Sequence, residues 1–217
     1  MSCKSIIITG IVALYSAASS PAAVIYTQLP EPRLLGPEIG SFGTVYPFDI
    51  DGDGEVDFNF GTTVGGGTTF FSEAGNFIAY SPSPPPDVGG DVGPLPLGSI
   101  IGEDISMIDA SLVWSERSGT VVFCMDVGCG GLFVGRDAYI GLRFERPEGT
   151  HFGYIHFVTE SDSPYGYLHD WAWETQPGKP IIAGSIPEPS TTILLTGGLI
   201  AVIGRRRRYN QGIIGSP

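Results

Sequence analysis

The sequence has 217 residues, of which 32 are glycine and 18 are proline, and its formal net charge at pH 7 is −12. The absence of a collagen-like repeat, together with 11% aromatic residues, excludes both a collagen-like and a disordered chain. Between Val24 and Ile186, 6 Lys and Arg residues stand against 22 Asp and Glu residues, and this negative charge disfavours binding to nucleic acid or to anionic membrane surfaces.

The N-terminus has the layout of a secretory signal peptide. Lys4 precedes an apolar stretch, and small residues follow it as far as Ala23. The apolar stretch is too short to span a bilayer well. We therefore expect residues 1–23 to be a signal peptide that signal peptidase removes, with cleavage after Ala18, Ala22 or Ala23. The alternative, a buried N-terminal strand or helix, fits the order of charge, apolar run and small residues less well.

An acidic loop follows at residues 49–57, between two strand-like segments. It reads Asp-x-Asp-x-Asp-Gly-x-x-Asp, and alternate carboxylates in a tight turn converge on one point, as the oxygen ligands of calcium must. Phe60 stands where an EF-hand has its glutamate, so the loop instead resembles calcium loops of β-proteins such as integrin-type repeats. The alternative is a solvated acidic turn without metal. The predicted Ca²⁺ ligands are four carboxylates and one main-chain carbonyl: Asp49, Asp51, Asp53, Asp57 and Glu55, respectively.

Two features lie between this loop and the second half of the chain. Residues 81–98 are rich in proline and glycine, which predicts a long surface loop. Further on, Cys124 and Cys129 remain once Cys3 has left with the signal peptide. An even number of cysteines in an oxidising compartment predicts a disulfide, here at the end of a hairpin. A metal site would need further ligands, and a catalytic redox pair usually has two intervening residues instead of four.

The second half of the chain shows the alternation of β-strands. Residues 139–145 and 151–159 form two strands with a turn between them, which predicts a hairpin, and residues 167–175 have period two again. On the first strand the apolar side chains share one face: Ile140, Leu142 and Phe144. No long helical period occurs between the termini, so we expect an all-β fold, an antiparallel β-sandwich of jelly-roll type, over residues 24–185.

No catalytic motif is apparent in the sequence. His151 and His156 are five apart on one strand, so they point to opposite faces and cannot easily share a metal. There is no Gly-x-Ser-x-Gly, no His-Glu-x-x-His and no phosphate loop. Four aromatic side chains suit either a sugar-stacking platform or a packed core, and their spacing favours the core: Trp114, Tyr154, Trp171 and Trp173. We therefore expect a protein that is not an enzyme.

The C-terminus contains an apolar segment between two distinctive motifs. Pro187-Glu188-Pro189 comes first, the uncharged run 191–204 follows, and an arginine cluster ends the pattern at residues 205–208. As a helix the run would rise about 21 Å, which is short for a hydrocarbon core of about 30 Å. The arginines should stay cytoplasmic. The body of the protein would then lie outside, as the signal peptide predicts independently.

This order of motifs resembles a PEP-CTERM sorting tail, here over residues 186–217. The resemblance implies recognition by an exosortase, transient residence in the inner membrane, and removal of the tail near the Pro-Glu-Pro motif. It also implies export to the cell surface or extracellular matrix of a Gram-negative bacterium that makes exopolysaccharide. An ordinary membrane anchor is the alternative. The residues that carry the resemblance are Pro187, Glu188, Pro189, Arg205, Arg206, Arg207 and Arg208.

These observations predict the class of function. We expect a secreted or surface-associated, non-catalytic component of an exopolysaccharide or biofilm matrix that calcium supports and that has extracellular polysaccharide as a partner. The alternative is a secreted carbohydrate-active enzyme, glycosidase or lyase-like, on a β-sandwich, because carboxylates are plentiful enough to supply a catalytic pair. A cleft with two facing carboxylates would favour the enzyme, and a flat surface would favour the matrix protein.

Overall fold

The structure is a computed structural model, and it describes residues 23–35, 43–63, 66–83, 89–125 and 128–187. The predicted signal peptide up to Ala22 lies outside the described residues. Most of the predicted tail does as well, including Glu188, Pro189, the run 191–204 and the arginine cluster 205–208. In the part of the chain that is described, no helix has the length and apolar character needed to cross a membrane.

The described residues fold almost entirely into β-strands, so the predicted all-β class is confirmed. A short 3-10 helix, Ile105–Met107, begins after Asp104, whose carboxylate accepts a hydrogen bond from the Ser106 N–H. The strands are numbered in chain order: β1 Val24–Leu35, β2 Val45–Phe48, β3 Phe58–Thr63, β4 Gly67–Ser72, β5 Phe77–Pro82, β6 Gly90–Val92, β7 Pro94–Leu95, β8 Ile100–Ile101, β9 Val113–Ser115, β10 Gly119–Met125, β11 Gly128–Gly130, β12 Asp137–Arg146, β13 Gly149–Thr159, β14 Gly166–Glu174 and β15 Ile181–Ile182.

One large sheet contains thirteen of these strands. Its main path runs in the order β1-β14-β13-β12-β5-β6-β10-β4-β3-β2, with β7, β9 and β11 paired at its side. The pairs are antiparallel except for β6 with β10, which is parallel. The remaining strands, β8 and β15, form a separate two-stranded sheet. Antiparallel hairpins thus dominate the fold, as the turn signals in the sequence predicted.

The large sheet curls until its two halves face each other. Phe60 on β3 stacks on Phe157 on β13, with ring centres 5.4 Å apart. The two strands at the ends of the path also approach each other: the Arg33 guanidinium on β1 lies 5.5 Å from the ring centre of Tyr46 on β2. The layers of the predicted sandwich are therefore halves of one near-barrel sheet rather than two separate sheets.

Two clusters of buried side chains lie on opposite faces of β12, β13 and β14. The aromatic core fills the space between the two halves of the sheet and receives the predicted alternating residues of β12. The second core lies on the other face, under the segments 93–112 and 180–185. Each fully buried large side chain contributes about 1.5–3 kcal/mol. The aromatic core includes Phe48, Phe58, Phe60, Phe70, Phe133, Phe144, Phe157 and Trp173, and the second core includes Leu95, Ile101, Leu112, Tyr139, Phe152, Tyr154 and Ile181.

The described parts of residues 81–98, which are 81–83 and 89–98, contain strands where the sequence predicted a long loop. Strand β5 continues to Pro82, and β6 and β7 follow within the same range. A side chain at Gly90 would lie only 2.4 Å from the Ser81 carbonyl oxygen, so this glycine lets β6 pack closely against β5. Glycine here permits a close strand contact, whereas its frequency in the sequence had indicated a loop.

Candidate metal centre and sorting tail

The acidic loop 49–57 connects the two strands of the β2–β3 hairpin. Phe48 and Phe58 face each other across the base of the loop, and the Asp57 N–H donates to the Phe48 carbonyl oxygen at 3.0 Å. Both phenylalanines are buried in the aromatic core. Packing therefore fixes the two ends of the loop, and the acidic residues project from a rigid base.

Hydrogen bonds within the loop orient its carboxylates. The Asp49 carboxylate accepts from the N–H groups of Gly52 at 2.7 Å and Gly54 at 2.9 Å. The Asp51 carboxylate accepts from the Asp53 N–H at 3.0 Å. Gly52 and Gly54 have φ angles of 77° and 94°, a backbone conformation that residues other than glycine rarely adopt. The glycines of the motif thus make the turn that brings the carboxylates together.

Three of the five predicted metal ligands form a cluster. One carboxylate oxygen from each of Asp49, Asp51 and Asp57 lies within 4.8 Å of the others, and such a group could hold a metal ion. Asp53 and Glu55 are exposed and their side chains do not belong to this group. The structure therefore shows an acidic cluster with the spacing of a cation site, formed by residues that the sequence motif had singled out.

Two partners of this cluster were not predicted from the sequence. Arg146, at the end of β12, donates from Nη1 to Asp51 Oδ2 at 2.8 Å, and its guanidinium lies 5.0 Å from the ring centre of Trp173. Asn76 donates from Nδ2 to Asp57 Oδ1 at 3.3 Å. Both partners are distant in sequence, so no local pattern reveals them. A cation bound at the cluster would share Asp51 with Arg146.

The surroundings disfavour ionisation of two of these carboxylates. Burial raises the pKa of Asp57 to about 6; the Ile50 N–H bond opposes this shift, and the nearby Asp51 charge adds to it. Burial also raises the pKa of Asp51, although the Asp53 N–H and the Arg146 charge oppose the shift. A nearby divalent cation would stabilise the ionised forms and so lower both pKa values.

The cleft beside the acidic loop contains further carboxylates. It has a volume of ≈ 710 Å³, and Glu73 and Glu145 contribute to its wall. Glu73 accepts a hydrogen bond from Asn59 Nδ2 at 2.5 Å, and Glu145 accepts one from the Thr150 hydroxyl at 2.7 Å. These two carboxylates therefore act as acceptors that join neighbouring strands, which is a structural role.

The histidines on β13 point to opposite faces, as expected from their spacing. His151 is buried beside the aromatic core, with Nδ1 2.8 Å from the Glu174 carbonyl oxygen. On the other face, His156 places Nδ1 2.9 Å from Asp170 and Nε2 2.6 Å from Asp137. The hydrogen bond with Asp170 is the main cause that raises the pKa of His156. With a carboxylate at each ring nitrogen, His156 is suited to an ion-pair role.

The four aromatic candidates for a sugar platform are divided between the two cores. Trp171 and Trp173 pack with the aromatic core, and Trp114 and Tyr154 pack with the second core. Tyr154 and Trp173 are also almost completely buried. The core-packing interpretation of their spacing therefore describes these residues better than a shared stacking surface does.

The two cysteines lie opposite each other in the β10–β11 hairpin. Cys124 and Cys129 are directly paired across the two strands, and their Cα atoms are 4.0 Å apart. A disulfide joins their sulfur atoms in the structure. In this geometry the bond closes the end of the hairpin.

The chain remains attached to the body almost up to the sorting motif. Strand β15 pairs with β8, the Ser185 N–H donates to the Ile182 carbonyl oxygen, and the Tyr154 hydroxyl donates to the Ser185 carbonyl oxygen at 2.9 Å. Gly184 has a φ of 77°, and a side chain there would meet both Leu97 and the Tyr139 hydroxyl. We call residues 183–187 the tail root. Contacts with the second core hold its first three residues, Ala183, Gly184 and Ser185.

Comparison with known proteins identifies the tail. Residues 185–208 match the family described as the PEP-CTERM protein-sorting motif. Neither the curated proteins nor the solved structures contain a match to the chain. The chain is therefore an exported protein with a C-terminal sorting tail. That tail is a PEP-CTERM motif, which an exosortase recognises, and it directs the protein to the cell surface or the extracellular space.

Proposed function

We propose that this protein is a non-catalytic component of an extracellular polysaccharide or biofilm matrix, with a fold that calcium supports. The observation that carries this proposal is the sorting motif, which begins at Ser185, directly where the folded β-body ends. The acidic body suits an extracellular location, since its charge keeps it soluble and away from anionic surfaces. Polysaccharide is the partner that we expect in this location.

Processing at both ends is part of the proposal. Signal peptidase removes residues 1–23, and the exosortase removes the tail near Pro187, Glu188 and Pro189 after the arginine cluster has held it in the inner membrane. Mass spectrometry of the protein isolated from the extracellular fraction is expected to find no peptide beyond the motif. Detection of intact Arg205–Arg208 in that fraction would contradict the sorting mechanism.

The calcium site that we propose uses the cluster of Asp49, Asp51 and Asp57, completed by Asp53 and the Glu55 carbonyl oxygen. The clustered carboxylates and the raised pKa of Asp57 support this proposal, because a cation would relieve repulsion in the loop. An ion that binds only the folded protein stabilises it by about 2.7 kcal/mol at a hundredfold excess over Kd. Magnesium should stabilise less, because it requires octahedral geometry and retains its water.

The calcium site can be tested by calorimetry and thermal unfolding, with calcium or with chelator. Wild type is expected to melt several degrees higher with millimolar calcium, and Asp51→Ala is expected to lose most of this gain. Asp162→Asn is the matched control, because Asp162 is exposed in the turn between β13 and β14, outside the acidic loop. No binding heat and an unchanged melting temperature in wild type would refute the site. A shift that persists in Asp51→Ala would place the ion elsewhere.

A carbohydrate-active enzyme is the second candidate. The cleft beside the acidic loop favours it, since a carboxyl group with a pKa of about 6, Asp57, lies in its wall. However, Asp57 accepts hydrogen bonds from the Ile50 N–H and from Asn76, which suits a structural acceptor better than a free acid. A glycan array with the mature protein, followed by turnover assays on each glycan bound, separates the two. Binding without turnover supports the matrix protein, and hydrolysis that Asp57→Asn abolishes supports the enzyme.

A further inference from the structure

The four most exposed large hydrophobic side chains of the described residues lie near the place where the chain leaves the body, and Ile182 is exposed beside them. Among the large hydrophobic residues, Met107 is 85% exposed, Leu97 73%, Ile186 64%, Ile100 63% and Ile182 51%. The other large hydrophobic residues in the described ranges that are exposed have exposures of 42–51%. We call these five residues the tail-exit patch.

The members of the tail-exit patch lie on neighbouring segments of the fold. Ile100 and Ile182 are directly paired between β8 and β15. The Leu97 side chain lies against Gly184 in the tail root. Ile100 and Met107 line the same groove, which has a volume of ≈ 370 Å³. Exposed apolar side chains that are grouped in this way mark a site of contact with a membrane or another protein.

The position of the patch in the chain indicates which of these contacts it makes. Ser185 is held by Tyr154, and the uncharged run of the tail begins at Thr191. The five intervening residues, 186–190, span about 17 Å when fully extended. When the uncharged run is inserted in the inner membrane, Ser185 therefore stays within about 17 Å of the place where the run begins, and the side of the body that carries the tail root is held near the lipid surface.

The charges around the patch indicate the kind of lipid. Glu103 and Asp104 line the same groove as Ile100 and Met107, and the body as a whole is strongly acidic. An anionic lipid surface would repel this rim, whereas a zwitterionic surface would not. Contact would then depend on the insertion of apolar side chains among the headgroups rather than on attraction between charges.

We propose that the tail-exit patch is a membrane-docking surface, which seats the folded body on zwitterionic phospholipid while the sorting tail is in the membrane. Met107, Leu97 and Ile100 are the side chains that enter the interface. The inference rests on membrane insertion of the tail, but it requires neither calcium nor cleavage. Docking of the patch would fix the orientation of the body and keep the sorting motif at the membrane surface, where a membrane enzyme can reach the motif.

Hydroxyl-radical footprinting of the full chain tests this proposal. The protein is reconstituted through its tail into phosphatidylcholine vesicles, and radicals generated in the water modify exposed side chains. Met107 and Leu97 are expected to be modified at least about fivefold more slowly than in the lipid-free chain, because headgroups shield them. Leu34 and Val45, each 51% exposed, are internal controls whose modification should not change. Vesicles rich in phosphatidylglycerol should give weaker shielding.

A double variant, Ile100→Ser with Ile182→Ser, sharpens the test. Both side chains are exposed, so the body should still fold, and the shielding of Met107 in vesicles should fall to less than about half. Flotation and protease protection of the tail report its insertion separately, so that a failure of insertion is distinguished from a failure of docking. An inserted tail with unshielded Met107 would overturn the proposal. Shielding that appears without lipid and grows with protein concentration would assign the patch to a second copy of the chain instead.

Discussion

The two faces of the central strands β12–β14 are buried by segments of very different structure, which we call the first and the second cover. On one face, strands of the same sheet bring a layer of phenylalanine side chains into the aromatic core. On the other face, the cover consists of short strands, a turn of 3-10 helix and the tail root. All strands of the first cover belong to the large sheet, whereas in the second cover β7 pairs with β12 and β8 and β15 form a two-stranded sheet of their own.

This difference indicates how the two covers should respond to damage. Loss of packing in the aromatic core affects strands that are all linked, so the whole body should lose stability. Loss of a contact in the second cover should instead loosen one segment, because regions with few backbone hydrogen bonds open locally at low free energy. Phe157→Ala and Tyr154→Phe test the packing on the two faces, and Asp57→Asn tests the charge of the acidic loop. The three are given in order of decreasing expected effect.

The largest effect is expected for Phe157→Ala. Phe157 is completely buried, and its ring centre lies 5.4 Å from that of Phe60 and 6.1 Å from that of Phe133. Removal of the ring leaves a cavity and should destabilise the body by about 3–5 kcal/mol. Denaturant unfolding measures this loss. Met107→Ala, at an exposed position of the second cover, is the control and should change stability by less than about 0.5 kcal/mol. A loss of less than about 1 kcal/mol in Phe157→Ala would contradict the importance of the aromatic core.

An intermediate effect, with a dependence on pH, is expected for Asp57→Asn. Without metal, burial raises the pKa of Asp57 in the folded state to about 6, above its ordinary value of 3.8. The stability that the protonated carboxyl provides is complete below about pH 4 and is lost as the pH rises through 6. The asparagine variant avoids this loss. Because Asp57 is partly accessible to solvent, we expect a gain of no more than about 1–2 kcal/mol at pH 7.

Without metal, Asp57→Asn should be more stable than the wild type at pH 7, and calcium should make the wild type the more stable of the two. Wild type gains stability from the ion at pH 7, but gains less at pH 5, where Asp57 is mostly protonated, and Asp57→Asn gains little at either pH. Melting temperatures from pH 4 to pH 8, with chelator and with calcium, measure both effects. If the stability of the wild type in chelator did not fall between pH 4 and pH 7, the raised pKa of Asp57 would be wrong.

The smallest effect is expected for Tyr154→Phe, and it should be local. The variant loses the hydrogen bond from the Tyr154 hydroxyl to the Ser185 carbonyl oxygen, which should cost about 1 kcal/mol. Hydrogen exchange should become faster at the Ala183 and Ser185 amides, both bonded within the second cover, and stay unchanged in β12 and β13. Faster exchange throughout the central strands would show that the two covers are coupled.

Local patterns were sufficient to predict strands β12, β13 and β14 and the turn at residues 49–57. The alternation of Ile140, Leu142 and Phe144 reports a face of β12 directly, because neighbouring side chains of a strand point in opposite directions. In the acidic loop, the spacing of the aspartates and of Gly54 determines the turn. These features depend on residues that are close in sequence.

Contacts between distant residues could not be predicted in this way. The pairing of β8 with β15 joins residues about eighty positions apart, and Arg146 reaches Asp51 from another hairpin. Neither partner shows a pattern that identifies the other. The same limit explains residues 81–98, where composition indicated a loop but pairing with β5 and β10 produces strands.

The hydrogen bond that holds Ser185 also affects how strongly the body would bind to lipid. It leaves a tether of only five residues between the body and the uncharged run 191–204, which we propose to lie in the membrane. A tether this short converts contact between body and lipid into an intramolecular event, with an effective concentration of the order of millimolar. An interaction too weak to hold the free protein would therefore hold it before the tail is cut. In the proposed mechanism, cleavage would remove the tether, and the body would leave the membrane without any change in its fold.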